Sequence, residues 1–280
     1  MPERRHPRRH RPVSSRAYLA NVVDGVGRPK GLAHRGYAPD GNENSLAAVQ
    51  AAVDLGCGWV ETDVQASADG ELFVFHDDTL DRVTGTTGRI STMTAAQVRA
   101  VRVGGDPIPT LAELLERFPD VRLNIDVKTG AGVAPLAAVI ERLGAHDRVL
   151  VASFSDRRRR AVLRRLSRPV ATSAGTVLTA VWVLAAAVPV LAPVARLLLH
   201  GVDCLQVPER QPLLAGRAVP VVTSRTIALA HRWGLEVHVW TVNAADDMRR
   251  LLDAGVDGIV SDRADLLAQV FTERDAWPRG

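Results

Sequence analysis

The chain has 280 residues, of which 46% are hydrophobic and 24% charged, and a formal net charge of +4. That length accommodates one large core of the size of a β/α barrel plus a tail, and two cysteines far apart in sequence, Cys57 and Cys204, exclude a disulfide-stapled scaffold. Much of the positive charge sits in the opening stretch "MPERRHPRRHRPVSSR", which lacks the long apolar run of a secretory signal or membrane anchor. Residues 1–29 therefore read as a basic, disordered tail rather than an arm for nucleic acid or anionic lipid. Residues 30–272 read as a single domain. Both thiols read as buried in a reducing, cytoplasmic compartment.

After the tail, short apolar runs alternate with helical stretches. "GLAH" at 31 leads through a polar loop to a helix from Ser45 to about Leu55, capped by Asn44 or Ser45. "WVETDV" at 59 and "ELFVFH" at 71 follow, then "VRLNIDVK" at 121, "RVLVASF" at 148, "RPVATS" at 168, "DCLQVP" at 203, "EVHVWTVN" at 236 and "GIVSD" at 258. Between most of them lie Ala/Leu/Arg segments of helical period, such as "TLAELLERF" and "AADDMRRLLDAG". Strands alternating with helices predict an α/β fold with a parallel sheet covered on both faces, here a (β/α)8 TIM barrel. Nine candidate strands compete for eight places, so one of them, "RPVATS" or "DCLQVP", is expected to be irregular. An open nucleotide-binding sheet is disfavoured because no Gly-rich phosphate loop follows a strand.

Glu61 and Asp63 carry the first chemical signal. A strand alternates its faces with period two, so both carboxylates project the same way from points roughly 6 to 7 Å apart. Two like charges that close in a covered sheet call for a shared cation or proton. Polar residues also end the other runs: His34, His76, Lys128, Ser153, Asn243 and Asp262. In a closed parallel barrel, such positions converge on the C-terminal face, where these folds carry their chemistry. Lys30 and Lys128 are the chain's two lysines among 35 basic residues, which makes a retained lysine informative. The other histidines take plain readings: His6 and His10 belong to the tail, His146, His200 and His231 lie in loop or helix contexts without a carboxylate pattern, and His238 packs within its strand. Asp77 and Asp78 orient His76 or cap the next segment, and Asn243 is a structural hydrogen bonder.

"AHRGYAPDGNENS", "ETDV", "HDDTLDRVT", "IPTLAELL", "NIDVK" and "VWTVN", taken together, resemble the glycerophosphodiester phosphodiesterase family over about residues 31 to 270. The resemblance implies a β/α barrel that hydrolyses glycerophosphodiesters to glycerol 3-phosphate and an alcohol with one divalent cation. It implies that His34 and His76 form the acid/base pair, that Glu61, Asp63 and Asp126 hold the metal, and that Arg35 contacts the phosphate. It further places Trp240 at the glycerol pocket, with Glu43 and Asn44 in supporting positions. The family usually has glutamate where this chain has Asp126, one methylene shorter.

The chemistry agrees with those roles. A phosphodiester anion repels nucleophiles, so its site must supply positive charge, here from Arg35, Lys128 and a cation on oxygen ligands. Three carboxylates suit a hard ion, Mg²⁺ or Ca²⁺. Histidine titrates near neutrality and transfers protons either way. The alternatives are hydrolysis of lysophospholipids at a membrane surface and a non-catalytic barrel that binds a phosphodiester or lipid headgroup. The uncharged stretch from Ala174 to Ala195, broken by Pro189 and Pro193, reads as an outer barrel helix, with membrane contact through 174–200 as the other reading.

Overall fold

The computed structural model describes residues 17–23, 26–212 and 218–277. Eight parallel strands form the barrel: β1 (Lys30–His34), β2 (Trp59–Ala66), β3 (Arg122–Val127), β4 (Val149–Ala152), β5 (Ala171–Thr172), β6 (Cys204–Pro208), β7 (Glu236–Trp240) and β8 (Gly258–Ser261). They pair in chain order, β8 pairs with β1, and a parallel bridge between Ser173 and Cys204 joins β5 to β6 to close the ring. A helix follows each strand, beginning with Leu46–Asp54 after β1, whose first turn is capped by Ser45 Oγ accepting from the Ala48 amide at 3.0 Å.

The ninth candidate strand is the "ELFVFH" run, and both of the runs expected to be irregular, "RPVATS" and "DCLQVP", supply barrel strands. Leu72–Val74 pairs antiparallel with the end of β2, so it doubles back instead of crossing over. It opens an excursion up to Thr110 with its own apolar cluster, which includes Phe73, Phe75, Leu80, Ile90 and Ile108. The helix that covers β2, Leu111–Arg117, comes only after this excursion, started by a reciprocal cap between Thr110 and Glu113.

Alternation along the strands divides the apolar side chains into two populations. Val60, Val64, Leu123, Ile125, Val149 and Val151 face the helices in an outer core, continued on the other side of the ring by Leu205, Val207, Val237, Val239 and Ile259. Leu32, Trp59, Leu150, Ala171, Cys204 and Val260 form a smaller cluster together with Tyr18 and Leu19. These last two residues correct the expected boundary of the tail. Tyr18 and Leu19 are buried and Trp59 Nε1 donates to the Tyr18 carbonyl at 3.1 Å, so the segment from Ala17 belongs to the barrel. Residues 1–16 lie outside the described residues. At the other end Trp277 packs on Phe271 and donates to the Leu55 carbonyl at 2.8 Å, which carries the domain past residue 272.

The apolar stretch after β5 is two helices, Thr176–Ala187 and Ala192–Leu198, separated by a short 3-10 turn at Pro189–Leu191 where proline interrupts the ladder. Among the described residues no helix is long and apolar enough to cross a membrane. Cys57 and Cys204 are both free and buried.

Candidate active site

Strand register assembles the site. β1 sets His34 beside Glu61 of β2, and β2 sets Asp63 beside Asp126 of β3, with Glu61 beside Asn124 one step below. The backbone then turns sharply after β1. Arg35 adopts φ 58° and Gly36 φ 85°, and a Cβ on Gly36 would lie 2.6 Å from the Ala48 carbonyl carbon, so the turn needs glycine there. Arg35 itself carries the strain of a left-handed conformation at a charged, functional-looking position. Its amide donates to the Glu61 carbonyl at 2.8 Å, which tethers the turn across the mouth.

The side chains of His34, Arg35, Glu61, Asp63, His76, Asp126, Lys128 and Trp240 line one cavity of about 600 Å³. Glu43 and Asn44 stand behind them. Arg35 donates to Glu43 at 2.8 Å and forms an ion pair with Asp63 at 3.2 Å. Asn44, also at positive φ, donates to Asp63 at 3.3 Å and accepts from Thr62 at 2.7 Å. Lys128 lies between two carboxylates, 2.7 Å from Asp63 and 2.8 Å from Asp126. Although burial works against the charged form of both partners, Lys128 and Arg35 hold Asp63 below the usual carboxylate range, and Asp63 and Asp126 hold Lys128 above the usual amine value.

Glu61 fares differently. Burial, and then the charge of Asp63, pushes its carboxyl above the usual range. Its Oε2 has no hydrogen-bond partner, because His34 Nε2 at 3.7 Å is too far, and Asp126 Oδ1 is likewise buried and unpaired. Orphaned carboxylate oxygens are costly, and these two are donors of the hard type that a divalent cation takes. The set therefore fits a metal in chemistry and charge. No three His, Cys, Asp or Glu side chains among the described residues already converge as a ligand cluster, and Lys128 supplies the charge between Asp63 and Asp126.

Each histidine has a carboxylate behind it. His34 Nδ1 lies 2.6 Å from Asp262 Oδ1, and Asp262 is in turn fixed by Asn243, whose Nδ2 donates to it at 2.7 Å while its Oδ1 accepts from the Asp262 amide at 3.0 Å. Burial alone would lower the His34 pKa; the Asp262 hydrogen bond and the Glu61 charge outweigh it and raise the value. His76 is paired through Nδ1 with Asp77, which Arg82 also holds. Arg82 donates to Glu43 as well, so a continuous chain of charges runs from His76 through Asp77, Arg82 and Glu43 to Arg35. Gln65 donates to the His76 carbonyl at 3.2 Å and pins this loop to β2. Arg82 and Gln65 escaped sequence reasoning as site residues, and Asp262, expected at the rim as a strand end, was not assigned to His34. For Gln65 a signal existed, since it is the next inward position after Glu61 and Asp63.

Two plain readings of other histidines are corrected. His146 lies 3.1 Å from Glu141 and His231 2.8 Å from Asp257, so both have carboxylate partners, away from the cavity. His238 packs within its strand as expected, fully buried and 2.9 Å from Glu236.

The model of the glycerophosphoryl diester phosphodiesterase family matches residues 34–266. A probable glycerophosphodiester phosphodiesterase 2 of Mycobacterium tuberculosis is 43% identical over 88% of this chain and 92% of its own length. Among solved structures, a glycerophosphodiester phosphodiesterase from Agrobacterium tumefaciens superposes with a TM-score of 0.69 at 26% identity over 87% of this chain and 99% of that one. A phosphodiesterase from Oleispira antarctica, solved in complex with the product sn-glycerol-3-phosphate, shares the fold at a TM-score of 0.68 and 22% identity, covering 89% of this chain and 97% of that one. Matched by the family model over most of its length and by a close relative over nearly all of it, the chain belongs to the glycerophosphoryl diester phosphodiesterase family and is an enzyme that cleaves phosphodiesters.

Proposed function

We propose that the protein hydrolyses glycerophosphodiesters to glycerol 3-phosphate and an alcohol, with His34 and His76 as the acid/base pair and Glu61, Asp63 and Asp126 as the residues that hold a divalent cation, Mg²⁺ or Ca²⁺. The observation that carries this reading is the convergence of two carboxylate-backed histidines, three carboxylates, Arg35 and Lys128 on one cavity. The product bound by the Oleispira relative is the one this reaction releases. When bound, the cation supplies positive charge at the phosphate oxygens and screens the three carboxylates from one another.

The chain's own groups perform the rest. Arg35 binds a non-bridging phosphate oxygen, and Lys128 adds a second positive charge from β3. The glycerol moiety lies toward Trp240, with its free hydroxyl beside the phosphorus. That hydroxyl attacks from within the same molecule, where well-oriented groups reach effective molarities on the order of 10⁵ M or more. One histidine takes the hydroxyl proton and the other protonates the leaving alcohol, giving a cyclic glycerophosphate; water then opens the ring as the two exchange roles. Asp262 and Asp77 keep each imidazole's Nδ1 engaged so that Nε2 faces the cavity.

Release of glycerol 3-phosphate from glycerophosphocholine, measured before and after chelation, tests the reading. Turnover that returns on adding Mg²⁺ or Ca²⁺ is expected, and Asp63→Asn should abolish it while the circular dichroism spectrum stays native. Full turnover by chelated protein would remove the metal from the reading. An analogue lacking the glycerol hydroxyl next to the phosphate should react very slowly; cleavage at the natural rate would replace the cyclic route with direct attack by water.

A further inference from the structure

Large aliphatic side chains open to solvent are not scattered over this molecule. Of the ten large hydrophobic side chains exposed among the described residues, eight lie between Val177 and Leu198. They follow helical spacing. Val177, Leu184 and Val188 run along the helix Thr176–Ala187 and its end, on a different side from the buried Leu178, Trp182 and Ala185. Val190, Val194 and Leu197 run along the 3-10 turn and the helix Ala192–Leu198, which packs against the first helix, so the two stripes adjoin. Val190 and Leu197 are 81% and 75% exposed, the most open large hydrophobic residues described. Single exposed aliphatics are ordinary, but a monomer seldom leaves a patch beyond about 300 to 600 Å². Eight such side chains, at roughly 100 Å² of open surface apiece, present about 800 Å², which is what one partner contributes to a standard protein interface.

The chemistry of the patch narrows what covers it. From Gly175 to His200 the one charged residue is Arg196, and the one tryptophan, Trp182, is fully buried. Helices that rest on lipid carry many basic residues on their polar face with aromatic anchors beside them, and lipid-binding clusters hold about four to eight Lys or Arg. This face has neither. Contacts between identical chains are the most apolar and charge-poor of protein interfaces. A twofold contact also sets a surface against its own image, so it needs ridge and recess side by side and little net charge. Both are present. The ridge Val190–Val194–Leu197 shares its segment with a hollow of about 510 Å³, whose walls include Ala185, Ala186, Pro189, Ala192 and Leu229. Those mostly small residues leave room for a partner's branched side chain. Arg225 and Arg232, both exposed, border the hollow and fall at the rim, where interfaces stay polar.

We infer that residues 177–198 are the interface of a homodimer, in which the ridge of each copy seats in the hollow of the other about a twofold axis. The inference is independent of the proposed reaction. Leu184 belongs both to this face and to the lining of the catalytic cavity, so the partner copy borders that cavity on its uncharged side.

Sedimentation velocity of the full chain without lipid or detergent tests it. Particles of twice the chain mass should predominate by about 10 µM, since interfaces of this area bind in the micromolar range or tighter. Val190→Asp combined with Leu197→Asp puts two carboxylates of each copy into the apolar contact and should weaken the dimer by at least about 100-fold. Both positions are open to solvent, so the melting temperature of the variant should match the parent's. A parent that stays monomeric overturns the inference, and so does a variant that dimerises as tightly as the parent. A monomeric parent that sediments with phosphatidylglycerol vesicles would assign the face to lipid. Thiol cross-linking gives a second reading in the otherwise unaltered chain, because Cys57 and Cys204 are buried. Single Val190→Cys, Val194→Cys and Leu197→Cys variants are treated with a short bis-maleimide, alongside Asp246→Cys on the exposed face of another helix. At least one of the three should form covalent dimer more than about tenfold faster than Asp246→Cys, as expected when the second reaction occurs within a preformed pair. Equal rates at all four positions overturn the interface.

Discussion

At the base of the barrel, Lys30 donates to both oxygens of Glu236 at 2.8 Å, and His238, 2.9 Å from the same carboxylate, meets Gln206 through its other nitrogen at 3.3 Å. At the mouth, Asp63 and Asp126 share Lys128, Asp63 also pairs with Arg35, and one oxygen each of Glu61 and Asp126 is left unpaired. Both clusters are buried charge inside one barrel, yet only the first is closed upon itself. A closed network holds the fold, whereas an open one holds unspent interaction for a ligand at the cost of stability. Breaking each should therefore read out differently, activity at the mouth and melting temperature at the base.

The largest effect is expected at the mouth. His34→Ala and His76→Ala should each lose about 10² to 10⁴ in kcat with KM little changed, since proton transfer acts on the transition state. Melting curves should barely move. A variant that keeps its kcat would remove that histidine from the acid/base pair.

The base should show the inverse pattern. Glu236→Gln leaves Lys30, only 3% exposed, facing an uncharged partner. Breaking a buried pair from one side costs about 3–5 kcal/mol, and a fall in melting temperature on the order of 10 °C follows for a domain of this size. At a temperature where the variant is folded, kcat should stay within about twofold of the parent. A large loss of kcat there would tie the base to catalysis and collapse the distinction.

Glu61 sharpens the comparison further, because at the mouth removing a charge should help the fold. A carboxyl whose folded pKa lies above its unfolded value loses stability as pH rises from the unfolded to the folded value. Glu61→Gln removes that loss, so without divalent salt the protein should melt a few degrees higher at pH 8, about 1 kcal/mol, and no higher at pH 4. Calorimetry at the two pH values checks it. A lower melting temperature at pH 8 would show that Glu61 is a structural charge like Glu236.

How much of this was legible in the sequence follows from what each signal reports. Period-two alternation reports which side chains share a face, so Glu61 and Asp63 were found together, and the ends of parallel strands brought His34 and Lys128 to the same rim, whereas Asp126 came from the family resemblance alone. Alternation is blind to direction: "ELFVFH" is as buried as a barrel strand but runs antiparallel, and its reversal is written in pairing across the sheet. "RPVATS" and "DCLQVP" were doubted because nine candidates competed for eight places, yet two residues of the first suffice where Arg159 and Asp203 satisfy Thr172 from its flanks. The tail hid its last turn because charge dominates its composition, while Tyr18 and Leu19, its first large apolar pair, are what the base of the barrel buries. Asp262 is 228 residues from His34, and only closure of the ring between β8 and β1 makes them neighbours.

The smallest expected effect tests that closure. Asp262 keeps the His34 pKa above its ordinary value against the opposing pull of burial, with Glu61 second in support. A histidine whose folded pKa is raised contributes stability that is fully present below its unfolded pKa, about 6.5, and is lost as pH rises through the folded value. Asp262→Asn keeps the shape and a hydrogen-bonding group but removes the charge, so the His34 pKa should fall. The variant should lose more stability at pH 6 than at pH 9, and the limb of the kcat profile that reports His34 should move to lower pH by less than about one unit. Asn243→Ala, which frees Asp262 without discharging it, should lower kcat by about tenfold or less while leaving that limb nearer its original position. An unmoved limb in Asp262→Asn, with the imidazole resonance of His34 titrating as in the parent, would mean that Glu61 rather than Asp262 sets the charge of this histidine, and the ring closure would then matter for orientation alone.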